Sequence, residues 1–203
     1  MKDNIKDVVS GTQKQAFNTI GSLNFPAPPQ GDPEGGVKYY VGDVNLGSGI
    51  AGSKVFVSGK GTIIVDGNLT IRNGMEYSDS KSILGIIVRN GNVIVQNDVD
   101  SIVGIYYIFA DGANGGQFIV RSKAPVGYDS QFVIKGIVIA SGYKSGDQRV
   151  SAFVLNRTYI GDPAVINKDD PTTWQPAEVF EYDGRVIVSP PPAFSSQVFQ
   201  VRD

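Results

Sequence analysis

KVFVSG (54–59), GTIIVDG (61–67), NLTIRNG (68–74), SILGIIVRNG (82–91), NVIVQND (92–98), SIVGIYYIFADG (101–112), GQFIVRS (116–122) and QFVIKGIVIASG (131–142) follow one another in the middle of the chain. Each run is rich in Ile, Val, Tyr and Phe, which pack well on a pleated surface, and each closes on residues that tolerate positive φ. No 3.6-residue period survives between Lys54 and Ser141, and the runs leave little room for crossover helices, which argues against a doubly wound α/β sheet. The strands must pair directly with one another.

They do so either as hairpins or as successive turns of a coil. A sandwich uses Asp66-Gly67, Asn73-Gly74, Asn90-Gly91 and Asp111-Gly112 as two-residue turns between antiparallel strands. A parallel β-helix puts the same residues at the corners between short faces, and stacks each coil on the last at about 4.8 Å. The segments ILGIIV, IVGIYYI and VIKGIVIASG share an apolar residue, a glycine (85, 104, 136) and then Ile or Val, at unequal intervals. That shared pattern favours the parallel β-helix, or β-solenoid, with a β-sandwich as the alternative.

The 203 residues suffice for one core without staples. The net charge of −2 and pI near 5.2, with Lys and Arg scattered singly, give no footprint for nucleic acid. The chain has no cysteine and no histidine. Disulfides, thiolate or imidazole metal sites and the usual serine and cysteine hydrolase triads are therefore impossible. Carboxylates, Lys, Tyr, Arg and calcium remain as chemical resources. No run approaches the ~20 apolar residues that span a bilayer.

Residues 1–24 carry apolar positions at Ile5, Val8, Val9, Ala16, Phe17, Ile20 and Leu23, near the helical period, which predicts an amphipathic helix weakened at Gly11. FPAPPQGDPEGG (25–36) reads as a Pro/Gly linker. Residues 37–50 start the sheet with two short strands, and 37–141 form the solenoid. Met75 to Ser82 and Lys123 to Ser130 read as surface loops. Residues 142–203 read as a C-terminal capping region. It has strands at Val150 to Tyr159 and Arg185 to Ser189, Trp174 and Phe180 to close the core, and Pro190 to Pro192 to end the ladder.

Three constellations are candidate sites. Asp162, Asn167, Asp169 and Asp170 are oxygen ligands close in sequence, as calcium requires, without the alternate spacing and terminal Glu of an EF-hand; turn formation by Asp before Pro competes with that reading. Asp98, Asp100 and Asp111 supply carboxylates for glycoside hydrolysis if they face one another, and otherwise mark corners. Arg72, Arg89, Arg121 and Lys135 make a stripe for an acidic polysaccharide if the coils align them, and otherwise protect strands from aggregation. Tyr39, Tyr40, Tyr106, Tyr107, Phe109 and Tyr143 include outward-facing members that call for a cover from one of the chain's ends or serve as a platform for sugars.

GIVIASGYKSGDQRVSAFVLNRTYIGD (136–162) followed by PAEVFEYDGRVIVSPPPAF (176–194) resembles the C-terminal part of β-helical ectodomains in bacterial surface proteins, some with pilin-like N-termini. GTIIVDGNLTI (61–71) is similar to bactofilin-like polymer-forming solenoids. The resemblance implies an extracellular or envelope location, other protein subunits or surface glycans as partners, and membrane contact only through an anchor preceding residue 1. It implies no enzymatic residue and no cofactor. The expected role is a non-enzymatic structural or adhesive component of a cell surface or pilus-like appendage. A carbohydrate-active or glycan-binding module and a cytoskeletal polymer are the alternatives.

Overall fold

The computed structural model of the chain describes residues 14–16, 19–26, 36–110, 115–123, 129–145, 148–157, 170 and 176–194. These are mainly β, with parallel strands in two large sheets. The first sheet takes β1 (Lys14–Ala16), β4 (Val37–Val41), β6 (Lys54–Asp66), β9 (Ile83–Arg89), β11 (Ser101–Phe109), β13 (Phe132–Ala140) and β17 (Glu178–Glu181) in that order. β3 (Ser22–Phe25) and β8 (Gly74–Tyr77) pair with the first half of β6. The second sheet runs β16 (Phe153–Leu155), β12 (Phe118–Val120), β10 (Val93–Val95), β7 (Leu69–Ile71), β5 (Val44–Leu46), β2 (Thr19–Ile20). β14 (Tyr143–Ser145) and β15 (Gln148–Val150) form a separate antiparallel pair. A single helical turn, α1 (Arg185–Val188), follows β17.

Among the described residues the Asn-Gly and Asp-Gly pairs are not hairpin turns; Asp111-Gly112 lies outside them. Asp66-Gly67 carries the chain from β6 in the first sheet to β7 in the second, and Asn90-Gly91 does the same between β9 and β10. Because the flanking strands lie in different sheets, each strand pairs with one from another pass of the chain, and does so in parallel. Residues of like kind therefore stack in columns. Val44 is in register with Leu69, Leu69 with Val93 and Val93 with Phe118. Leu46, Ile71, Val95 and Val120 form the next inward column, and all eight are buried. These side chains meet Tyr40, Val55, Val57, Ile63, Val65, Ile86, Val88, Tyr106 and Ile108 of the first sheet, and Leu23, Phe25 and Met75 of the strands paired with the first half of β6, in one core.

The first sheet is also buried on its other face. Tyr39, Ile64, Ile87, Ile105 and Phe109 pack there against Val186 and Phe194, so residues 185–194 lie as a strap across it. Phe194 sits at Gly85, where a Cβ would come within 2.6 Å of the ring. Thr62 Oγ1 donates to the carbonyl of Pro192, and Lys60 Nζ is 3.0 Å from Ser189 Oγ. The successive tyrosines Tyr39 and Tyr40 thus face opposite sides, and the outward one is covered by the C-terminal end of the chain.

Several expectations are corrected. Among the described residues of 1–24 there is no helix: Lys14–Ala16, Thr19–Ile20 and Ser22–Phe25 are strands, the last alternating exposed and buried with a period of two, and 1–13 lie outside the described residues. Ile20 and Leu23 fit a helical face by spacing alone, but the exposed edge of β6 supplies backbone partners that a helix would forgo. Of the 25–36 linker, Phe25 ends β3 and Gly36 is a turn; 27–35 lie outside the described residues. The 75–82 loop shortens, because Gly74–Tyr77 is a strand with Met75 fully buried. Residues 185–188 form a helical turn instead of a strand: Asp183 accepts from the Arg185 N–H at 3.1 Å, and the following prolines cannot join a ladder. Phe180 is 48% exposed and so does not close the core, while Trp174 lies outside the described residues. Among the described residues, no helix is long and apolar enough to cross a membrane.

Candidate functional site

Polar side chains gather in four places. The first is a column at the entry to the second sheet. The Asn68 N–H donates to Asp43 Oδ1 at 2.8 Å, the Asn92 N–H to Asn68 Oδ1 at 3.0 Å, and the Gln117 N–H to Asn92 Oδ1 at 3.0 Å. Gln117 Nε2 then reaches the Ser151 carbonyl at 2.8 Å. A side-chain oxygen here takes the backbone N–H of the next pass, satisfying a donor that the strand ladder does not reach. These groups are spent on the fold.

The second lies on the outer face of the first sheet. Arg89 Nη2 donates to Asp66 Oδ2 at 2.7 Å and to the Tyr39 hydroxyl at 2.8 Å, the Tyr39 hydroxyl donates to Asp66 Oδ2 at 3.0 Å, and Asn90 Nδ2 donates to Asp66 Oδ1 at 2.9 Å. Burial alone would raise the Asp66 pKa. The hydrogen bonds from Arg89, Asn90 and Tyr39 outweigh it and hold the carboxyl below its usual range. Burial and the neighbouring Asp66 push the Tyr39 hydroxyl upward. A carboxylate held ionised by three donors is a poor proton carrier and a good brace.

The third is built around Arg157, which is 7% exposed. Its guanidinium donates to the carbonyls of Gln96 at 3.0 Å, Val99 at 2.5 Å and Ser130 at 3.2 Å, and lies over the Phe132 ring at 5.2 Å. Glu178 accepts the Arg157 N–H at 3.1 Å. Burial draws the Arg157 pKa down, while Asp129, Glu178, Asp98 and Asp100 pull it back up. A cation thus already occupies this acid-rich corner, where it binds three carbonyls from two separate segments as a metal ion would.

The fourth is a cavity of about 470 Å³ beside the strap, lined by Ser80, Lys81, Ile83, Arg185, Val188 and Ser189. Asp183 fixes Arg185 through both oxygens, Oδ1 to Nε at 2.8 Å and Oδ2 to Nη2 at 2.6 Å. Arg185 also donates from Nη1 to the Ser80 carbonyl at 3.1 Å and lies 4.7 Å over the Tyr77 ring. Burial pushes the Tyr77 hydroxyl up to about 12.

The predicted sites fare unevenly. Asp162, Asn167 and Asp169 lie outside the described residues; Asp170 is half-buried. No group of three acidic side chains placed to hold a metal occurs among the described residues. Asp98 and Asp100 are exposed on either side of the fully buried Val99, and Asp98 pairs with Lys123 at 3.0 Å. Asp111 lies outside the described residues. The basic stripe does not form. Arg72 and Arg121 each follow a strand of the second sheet, Arg89 ends β9 against Asp66, and Lys135 is in register with Val103 and Glu181 on the first. Arg157 and the strap cavity were not legible in the sequence, since both depend on segments far apart in the chain. Comparison of the chain with family models, curated proteins and solved structures returned no match.

Proposed function

We propose that this chain is a parallel β-solenoid, closed by its C-terminal region 142–203, that serves as a non-enzymatic structural or adhesive component of a bacterial cell surface or pilus-like appendage. The column of Asp43, Asn68, Asn92 and Gln117 carries the reading. Its members are separated by 25, 24 and 25 residues. A chain that returns to the same place at that interval, burying the same class of aliphatic residue each time, behaves as a coil, and stacked coils make a stiff rod. Stiffness with regular faces is what a scaffold or adhesin needs of its partners' side, whether those partners are other subunits or surface glycans. The carboxylates support the same reading, because Asp66, Asp98 and Asp183 are each engaged by a cation of the chain itself.

The test is incubation with a panel of neutral and acidic polysaccharides. No reducing or unsaturated ends are expected to appear. Release of such ends that is lost in Asp98→Asn would overturn the reading in favour of a carbohydrate-active enzyme.

A second reading, a bactofilin-like polymer, rests on a separate observation. Phe153 and Leu155 continue the inward columns of Phe118 and Val120, and Phe180 follows Ile134, yet they are 37%, 42% and 48% exposed. Apolar side chains at the edge of a stack are what a further chain would cover.

A further inference from the structure

The strap cavity combines a concave apolar surface with cationic side chains. Its floor is Ile83 and its rim is Val188, which is 87% exposed although Val186, two residues earlier, is 1% exposed. The fold thus leaves an aliphatic side chain in water beside a concave surface. Above the apolar floor the charge is positive. Lys81 is exposed and makes no ion pair among the described residues, and Lys60 stands at the edge with its Nζ 3.0 Å from Ser189 Oγ. The acids nearby are committed. Asp79 Oδ1 accepts the Lys81 N–H at 2.8 Å, the Ser82 N–H at 2.8 Å and the Ser82 hydroxyl at 3.0 Å, and Asp183 is bound to Arg185. Arg185 is fixed in place by Asp183, Ser80 and Tyr77, and a guanidinium carries five N–H donors, more than these contacts use.

A volume of about 470 Å³ falls within the range of about 300–1,000 Å³ typical of small-molecule pockets, which are mostly apolar with a few placed polar groups. We propose that this cavity binds a small organic anion with a short aliphatic body, the anionic head toward Lys81 and Arg185 and the body along Ile83 and Val188. Neither the scaffold role nor the polymer role requires such a site.

The full chain, labelled with nitrogen-15, is titrated with hexanoate, hexyl phosphate, hexanol and hexylamine while amide shifts are followed. Hexanoate and hexyl phosphate are expected to shift Ser80, Lys81, Val188 and Ser189 saturably; the stronger of the two identifies the head group. Hexanol and hexylamine are expected to leave them in place. Lys81→Glu should weaken hexanoate binding by about tenfold, the effect of about 1.4 kcal/mol. Val188→Ser should weaken it severalfold without changing the melting temperature, because Val188 is exposed. Shifts that never saturate, shifts of the same residues by hexylamine, or unchanged binding in Lys81→Glu would each overturn the proposal.

Discussion

Arg157 joins the carbonyls of Gln96, Val99 and Ser130, so truncating it to alanine unties these segments and leaves the buried Val99 carbonyl without that donor. Arg157→Ala is expected to cost on the order of 3 kcal/mol in urea unfolding. Arg157→Lys should rescue little of this, because a point charge cannot span carbonyls that a planar fork reaches together. Asp66 gives a pH-dependent counterpart. Its folded pKa is lowered, so the stability it contributes is fully present above the unfolded value, about 3.9, and is lost as pH falls through the folded pKa. Asp66→Asn should therefore lower stability near neutrality and flatten its decline below about pH 4, as read from melting temperature against pH. Asp66 was visible in the sequence only as half of an Asp-Gly corner. Its role came from Arg89 and Tyr39, which arrive from other passes of the chain.

At the level of elements, the strap is the part whose placement matters most for the fold. Phe194→Ala removes an aromatic side chain that is 3% exposed and should cost about 3–5 kcal/mol. Gly85→Ala places a Cβ 2.6 Å from the same ring and 2.7 Å from Thr62 Oγ1, and should cost about 1–3 kcal/mol. In the double variant the cost should be less than the sum of the separate values, since the clash with the ring disappears and only that with Thr62 Oγ1 remains. Strict additivity in denaturant titrations would mean that Phe194 does not occupy the seat at Gly85. The N-terminal strands teach the complementary lesson. Ile20 and Leu23 are apolar at helical spacing but Leu23 and Phe25 at strand spacing, and an available edge on β6 chose the strand.

For the whole molecule, the question is what closes the stack. A chain ending at Gly142 lacks β16 and β17, and so opens the outer edges of β12 and β13, where Phe118, Phe132 and Ile134 are now fully buried. That form is expected to aggregate or form filaments, while the full chain sediments as a monomer across concentration. A chain ending at Tyr182 lacks the strap but keeps both edge strands, and separates loss of the strap from loss of the end. Filaments grown by the full chain, abolished by Leu155→Lys, would instead put the polymer reading first.

The sequence by itself determined that the chain is mainly β, because runs of Ile, Val and Tyr broken every few residues by Gly, Asn or Asp leave no helical period to compete. It also pointed to parallel stacking, since ILGIIV, IVGIYYI and VIKGIVIASG repeat one pattern; on the first sheet Gly104 is in register with Gly136, while Gly85 is in register with Ile105, one residue out of step. The tertiary structure alone decided which polar groups meet. Asp43, Asn68 and Asn92 form a column, and Arg157 fills the corner beside Asp129, because backbone pairing between successive passes sets their register. It alone also decided that Val186 to Phe194 lies across a sheet face. Tyr39, Ile64 and Ile87 are apolar on the side facing away from the core, and only a segment free of ladder pairing could cover them.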